Sequence, residues 1–359
     1  MFQKGLKGIV AVQTRIGSVD GELGELKYRG ERIEDLVNGR SFEEMAFYLW
    51  NGRFPAGKEY AELLDAFAQH RILPDHVEQV AASLPDDTPL MDGLRTLVSA
   101  WSSESFNRKP PSEQALLLTA ALPTAIALLY RKKHELDPIG PRPDFGHTAN
   151  FLWMVSGRKP PAAHTDALES YLKLTMEHGM NASTFAARVT ISTESDLVSA
   201  ITSALGTMKG PLHGGAPSGV IDLLEEIHSP ECIRPVVLEK LGHGEKIMGF
   251  GHRIYRTEDP RSVLLRERFR KLAGEDEWLD LAVQAEQEIV QILADYKPGR
   301  ALYTNVEFYA AAVMRAISLP PALFTPVFST ARIVGWTAHA IEQLADNVIF
   351  RPESEYIGQ

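Results

Sequence analysis

The chain has 359 residues, 44% of them hydrophobic and 23% charged, a composition that excludes a disordered chain or a small disulfide-stapled scaffold. Lys and Arg number 37 against 47 Asp and Glu, a net charge of −10, so nucleic-acid binding would require the basic residues to cluster. The lone cysteine, Cys232, cannot form an internal disulfide and excludes a cysteine-based zinc site.

At roughly 150 residues per domain the length suggests two domains. A single cysteine fits a reducing, cytoplasmic setting. The opening MFQKGLKGIVAVQTR has no apolar run of signal-peptide length. Residues 9–28 carry β-branched pieces around Asp20-Gly21, a hairpin signal. Ser41, with Glu44 three places on, predicts a capping box, and Asn51-Gly52 predicts the end of that helix. Residues 59–70 and 75–83 carry helical spacing. The Pro-rich stretches at 109–111, 138–143 and 159–161 predict connectors between helices. The uncharged run from Gln114 to Tyr130, interrupted by Pro123, predicts a buried core helix. Further helices are predicted over 194–209, stopped by Gly210-Pro211; from Asp259-Pro260 to Gly274; and over 276–296, 305–318 and 327–346. In the last of these, Ile333, Trp336, Ile341 and Leu344 suit either a core or a subunit interface. The fold class is mainly α with one small β element at the N-terminus.

Six segments carry possible chemistry. In Lys209–Pro217 (KGPLHGGAP), His213 precedes Gly-Gly, which lets backbone N–H groups approach a ligand; the same segment would also serve as a plain turn. In Ile247–Arg253 (IMGFGHR), two glycines at i, i+2 precede His252, and Arg253, Arg256 and Arg261 follow within nine residues. Such density in an acidic protein favours an anion site. In Tyr303–Tyr309 (YTNVEFY), Glu307 opens a helix among apolar neighbours, where a carboxylate either caps the helix or becomes a desolvated base. The others are His178 in EHGMNAST, Arg332 in FTPVFSTAR and Arg351 in IFRP. No two histidines lie four apart, and no nucleophile elbow, Walker loop or dinucleotide fingerprint is present.

Together, EHGMNAST, KGPLHGGAPS, IMGFGHRIYRTEDPR, TNVEFY, FTPVFSTARIVGWTAH and FRPESEYIG resemble the citrate synthases, in that order and over essentially the whole chain. The likeness is strongest to the short bacterial two-subunit members, above all the minor form of Bacillus-type bacteria. The resemblance implies a helical fold with a large domain (1–214 and 319–359) and a small one (215–318) that closes over the substrates. It implies condensation of acetyl-CoA with oxaloacetate, with the coenzyme A thioester as co-substrate and no tightly bound cofactor or metal. In that scheme His213 holds the thioester oxygen, His252 polarises the oxaloacetate ketone, and Glu307 takes the place of the family's aspartate base. His178, Arg261 and Arg332 bind oxaloacetate. Arg351 is supplied to the neighbouring subunit of a homodimer. Ile247, Met248, Gly249, Gly251, Arg256 and Asn305 contact coenzyme A. Glu307 departs from the family pattern by one CH₂, and a shift of ~1 Å can cost on the order of 10²-fold in rate. Alternatives are a 2-methylcitrate synthase using propionyl-CoA, since one methyl is worth only ~1–3 kcal/mol in a pocket, and a weakly catalytic paralogue that binds oxaloacetate or coenzyme A as a regulator.

Overall fold

The computed structural model describes residues 2–358 except 215, 253, 273–276 and 301, with the backbone alone at 216–218, 271 and 272. Two strands form the predicted hairpin: β1 (Gly17–Asp20) and β2 (Glu25–Tyr28) are antiparallel, with Gly17 opposite Tyr28 and Asp20 opposite Glu25. Asp20 turns the chain by accepting the backbone N–H groups of Glu22 (3.0 Å) and Leu23 (2.9 Å). A short β3 (Glu31–Arg32), which the sequence pattern does not signal, pairs with β2.

The rest is helical: α1 (Ile33–Gly39), α2 (Phe42–Asn51), α3 (Lys58–Gln69), α4 (Asp75–Ser83), α5 (Leu90–Ala100), α6 (Glu104–Asn107) and α7 (Pro111–Lys133) come first. Next are α8 (His147–Ser156), α9 (Ala162–Thr175), α10 (Ala182–Ser192), α11 (Leu197–Met208), α12 (Ala216–Ile227) and α13 (Ile233–Gly242). The series ends with α14 (Pro260–Leu272), α15 (Glu277–Tyr296), α16 (Val306–Ala316) and α17 (Phe324–Ala345).

Local chemistry sets many of these limits. Both halves of the predicted capping box are made: Ser41 Oγ accepts from Glu44 N (3.1 Å), and Glu44 Oε2 accepts from Ser41 N (2.9 Å). Gly52 then closes α2 in the left-handed conformation, φ 73°. The predicted 194–209 helix ends within a residue of Met208, but it begins at Leu197, three residues later than predicted. Asp196 is the cap, its Oδ1 accepting from Ser199 N at 2.7 Å, and Glu194 is left-handed at φ 63°. The predicted segment at 273–274 lies outside the described residues.

Helix α7 is long and apolar enough to cross a membrane by length and composition. It is instead packed inside the protein: Leu118, Ala121, Leu122, Ala125 and Ile126 are buried, and Pro123 sits in its interior. Helix α17 is the other central rod, packing on α2, α5, α7, α9, α10 and α11. Its Ile333 and Trp336 are fully buried, whereas Leu344 is exposed, so the first two belong to the core. Helices α12, α13, α15 and α16 pack in a chain on one another, α14 lies on α16, and α9 touches both α14 and α16. The site lies along this seam.

Candidate active site

Residues at or beyond the ends of α10, α11, α14 and α16, with Arg332 inside α17, are the predicted ones. His178 sits between α9 and α10 and is buried. Its loop is fixed from below. Tyr28 donates its phenol to Lys173 O (3.1 Å) and accepts from Glu177 N (3.2 Å), and Gly179 N donates to Glu177 Oε1 at 2.6 Å. Glu177 Oε2 lies 3.1 Å from His339 Nε2, both side chains fully enclosed. Arg188 donates from Nε (3.0 Å) and approaches from Nη2 (2.8 Å) at His339 Nδ1, so the imidazole proton faces Glu177.

His213 follows α11 and is half-buried. Its Nε2 lies 2.7 Å from Ser183 Oγ, a hydroxyl that receives the Trp336 indole N–H (3.0 Å) and donates to Asn181 Oδ1 (2.8 Å). Asn181 Oδ1 is already supplied by Thr184 N at 3.1 Å, as cap of α10. The single Ser183 proton therefore has two takers, Asn181 and His213. The second glycine of the GG pair, Gly215, lies outside the described residues, as does Arg253.

The GxG loop has a structural use. Gly249 (φ 86°) and Gly251 (φ 80°) let the chain run against 303–305, with Gly251 N donating to Tyr303 O (2.7 Å) and Asn305 N to Gly249 O (2.9 Å). Asn305 ties the two segments further: Nδ2 donates to Gly251 O (2.9 Å), and Oδ1 caps α16 by accepting from Glu307 N (3.0 Å). Ile247 is buried, and Met248 packs half-buried on the core. Arg256 donates its backbone N–H to Gly21 O of the hairpin (2.8 Å) and leaves its side chain exposed.

His252 follows this loop. Its Nδ1 accepts from Ile254 N (3.0 Å) and Tyr255 N (3.1 Å), which leaves the proton of the neutral ring on Nε2, beside Arg261 Nη2 at 3.5 Å. Arg261, 4% exposed, pairs with Asp259, 1% exposed: Oδ1 accepts from Arg261 N and Nε (both 3.0 Å), and Oδ2 from Nη2 (2.8 Å). Asp259 Oδ2 also accepts from Val306 N (3.3 Å), joining the starts of α14 and α16. Burial opposes the Arg261 charge, but Asp259, Tyr255 and Glu307 together outweigh it and hold the guanidinium pKa above its ordinary value. Arg332, also buried, donates Nε to Thr175 O (2.8 Å) and lies 4.7 Å over the Phe328 ring.

Electrostatics link these groups. Burial lowers His213 to about 4, aided by Arg332, and lowers His252 to about 4, aided by Arg261. Burial also carries His178 well below its ordinary value, with Arg261, His252 and Arg332 adding to the effect. All three rings are neutral near pH 7. Glu307 moves the other way. Burial lifts it to about 7, with Arg261 and Arg332 pulling down and Asp259 pushing up. The same two arginines thus act on Glu307 and on the histidines.

Arg351 is the predicted residue that does not join this group. It is exposed on the C-terminal tail. Among the described residues no group of three or more His, Cys, Asp or Glu is placed to hold a metal ion. Sequence reading passed over Ser183, Tyr255 and the second role of Asp259. The Asp-x-Arg step at the helix start was a signal for the last; a serine two places after an N-cap asparagine carries none.

A cluster of neutral histidines, buried arginines and a carboxyl near pKa 7 suits carbon-acid chemistry on an anionic partner. The family model described as citrate synthase, C-terminal domain, matches residues 5–353. The chain belongs to the citrate synthase family, a family of acyltransferases. The citrate synthase of Synechocystis sp. is 38% identical, covering 100% of this chain and 91% of its own length. Citrate synthase 2 of Bacillus subtilis is 36% identical over 99% and 95%. The 2-methylcitrate synthase of Mycobacterium tuberculosis is 38% identical over 99% and 91%. A ternary complex of Thermoplasma acidophilum citrate synthase with carboxymethyl coenzyme A and oxaloacetate has a TM-score of 0.92 at 28% identity, covering 100% of this chain and 97% of that one.

Proposed function

We propose that this chain condenses acetyl-CoA with oxaloacetate and hydrolyses the resulting citryl-CoA, with Glu307, His213 and His252 as its catalytic residues. The observation that carries the reading is Glu307, a half-buried carboxyl that desolvation raises to about 7 and on which act the same Arg261 and Arg332 that keep the imidazoles neutral. A base with a pKa near the working pH is effective in taking a proton from a weak carbon acid.

The methyl of a thioester yields its proton only if the enolate oxygen is stabilised in the same step. His213 does this once Ser183 turns its hydroxyl from Asn181 to His213 Nε2, which sends the imidazole proton to Nδ1. Asn181 loses little, because Thr184 N remains bonded to it. The enolate then attacks the oxaloacetate ketone. His252 polarises that ketone through its Nε2–H, a donor fixed by the two backbone N–H groups on Nδ1. Neutral rings suit both tasks, since they donate without holding a fixed charge in the site. His178, Arg261 and Arg332 bind the oxaloacetate dianion. The backbone from Ile247 to Gly251, with Met248, Gly249, Arg256 and Asn305, takes coenzyme A, which is co-substrate and not a resident cofactor.

Residues 215–318 act as a small domain that closes on the remainder, excluding water until the carbon–carbon bond is made. The working unit is a homodimer with Arg351 given to the partner's site. A thiol-release assay with acetyl-CoA and propionyl-CoA in parallel tests the reading. The expected result is oxaloacetate-dependent release of coenzyme A, faster with acetyl-CoA. No release from either thioester sinks it, and a higher kcat/KM with propionyl-CoA moves the assignment to 2-methylcitrate, a reading supported by the 38% identity to such an enzyme.

A further inference from the structure

We propose that Tyr255 is a positioning residue for oxaloacetate, joining His178 to the loop of His252; the inference rests on the reaction assigned above. Tyr255 is 2% exposed, and its hydroxyl lies 3.1 Å from His178 Nε2. Its ring centroid is 4.7 Å from that of His252 and 5.6 Å from that of His178, and the Arg261 guanidinium sits 5.9 Å from it. Its backbone N–H is one of the two donors that set the His252 tautomer. One side chain therefore touches three residues assigned to the same substrate, and it reaches His178 from the other side of the seam between α9 and α14.

The position of Tyr255 is imposed from outside the site. Arg256 N, one residue on, is bonded to Gly21 O of the hairpin at 2.8 Å. Ile254, one residue back, lies so close to Gly21 that a Cβ there would be 2.3 Å from Ile254 O. Burial raises the Tyr255 pKa, so the phenol remains a proton donor throughout the working pH range. Its O–H supplies His178 Nε2, places the imidazole proton on Nδ1 and fixes the ring plane before substrate arrives. Such preorganisation appears as affinity, because the ring need not be ordered on binding.

Tyr255→Phe removes the hydroxyl and keeps the ring contacts. Without the hydroxyl the His178 ring is no longer held before substrate arrives, and ordering it on binding weakens oxaloacetate affinity by roughly 2- to 10-fold. Calorimetry with oxaloacetate alone, and KM for each substrate in turnover, read the effect. Expected are a raised Kd and KM for oxaloacetate, a KM for acetyl-CoA within about twofold of wild type, and an unchanged thermal midpoint. Unchanged oxaloacetate Kd and KM overturn the proposal. So does an equal rise in both KM values with a lowered midpoint, the mark of a structural role. A wild-type protein that binds oxaloacetate and releases no coenzyme A sinks the reaction and leaves the Kd comparison to decide Tyr255.

Discussion

Glu307 owes its pKa to its place at the second position of α16, among buried charges of both signs. Its ordinary value is 4.5, and burial raises it to about 7. Two consequences follow from the sign. As a base it works only when ionised, so kcat/KM for acetyl-CoA should rise with pH and level off above about 7. His213 and His252, lowered to about 4, stay neutral across that range and add no second step. A pH–rate profile that is flat from pH 5 to 8 would assign the base elsewhere. For stability, the native state binds the Glu307 proton more tightly than the unfolded chain does. The cost of the buried charge is absent below 4.5, grows as pH rises, and is complete above about 7. Glu307→Gln should therefore abolish condensation, leave oxaloacetate binding nearly intact, and raise the thermal midpoint at pH 8 by roughly 1–3 °C more than at pH 4.5. Melting curves at the two pH values check the stability half, and calorimetry with a thiol assay checks the other. The sequence identified Glu307 through its apolar neighbours and left open whether it caps a helix or acts as a base. The choice depends on Arg261, Asp259 and Arg332, which reach it from α14 and α17, and no local pattern reports such distances.

Helices with a local punctuation mark were legible: Ser41–Glu44 and Gly52 for α2, and Asp259-Pro260 for α14. Those decided by packing were not. The β3 strand has two residues and exists only because β2 is beside it. The sequence places the glycines of the GxG loop in a candidate anion site, but their positive φ first serves to lay residues 249–251 along 303–305. The β1–β2 hairpin shows the same limit. Its turn was legible from Asp20-Gly21; its purpose was not. The hairpin leans on the segment after His252, where a Cβ on Gly21 would lie 2.3 Å from Ile254 O and one on Gly24 would lie 2.6 Å from Thr257 Cγ2. The first obstacle is backbone and cannot swing aside. Gly21→Ala should thus displace the Ile254–Arg256 segment, break the Arg256 N to Gly21 O bond and lower kcat/KM by on the order of 10²-fold, as a ~1 Å misplacement does. The same change at Gly39, where nothing lies within 4 Å and φ is not positive, is the control. Comparing kcat/KM of the two variants tests the clamp, and equal losses would refute it.

For the molecule as a whole, the question is where the charge for a dianion comes from in a chain of net charge −10. Within one chain Arg261 is largely balanced by Asp259, and Arg332 spends its Nε on a carbonyl. A third cation would complete the site, and Arg351 is the candidate. Phe350 N donates to Ser192 Oγ at 3.2 Å, and the Phe350 ring packs on Phe185 at 5.6 Å. Ser192 ends α10 and Phe185 lies in its first turn, so Phe350 is held along the helix while the Arg351 side chain stays exposed. The exposed apolar residues Val348, Ile349, Tyr356 and Ile357 on the same tail suit burial against a second copy. Mixed dimers of the proposed homodimer decide the matter. Glu307→Gln and Arg351→Ala should each be nearly inactive alone. If Arg351 serves the partner's site, a mixed dimer places both defects in one site and leaves the other intact. Refolding the two variants together at equal amounts should then restore roughly a quarter of wild-type activity, since half the dimers are mixed and each has one working site. If Arg351 serves its own chain, every site carries one defect and no activity returns.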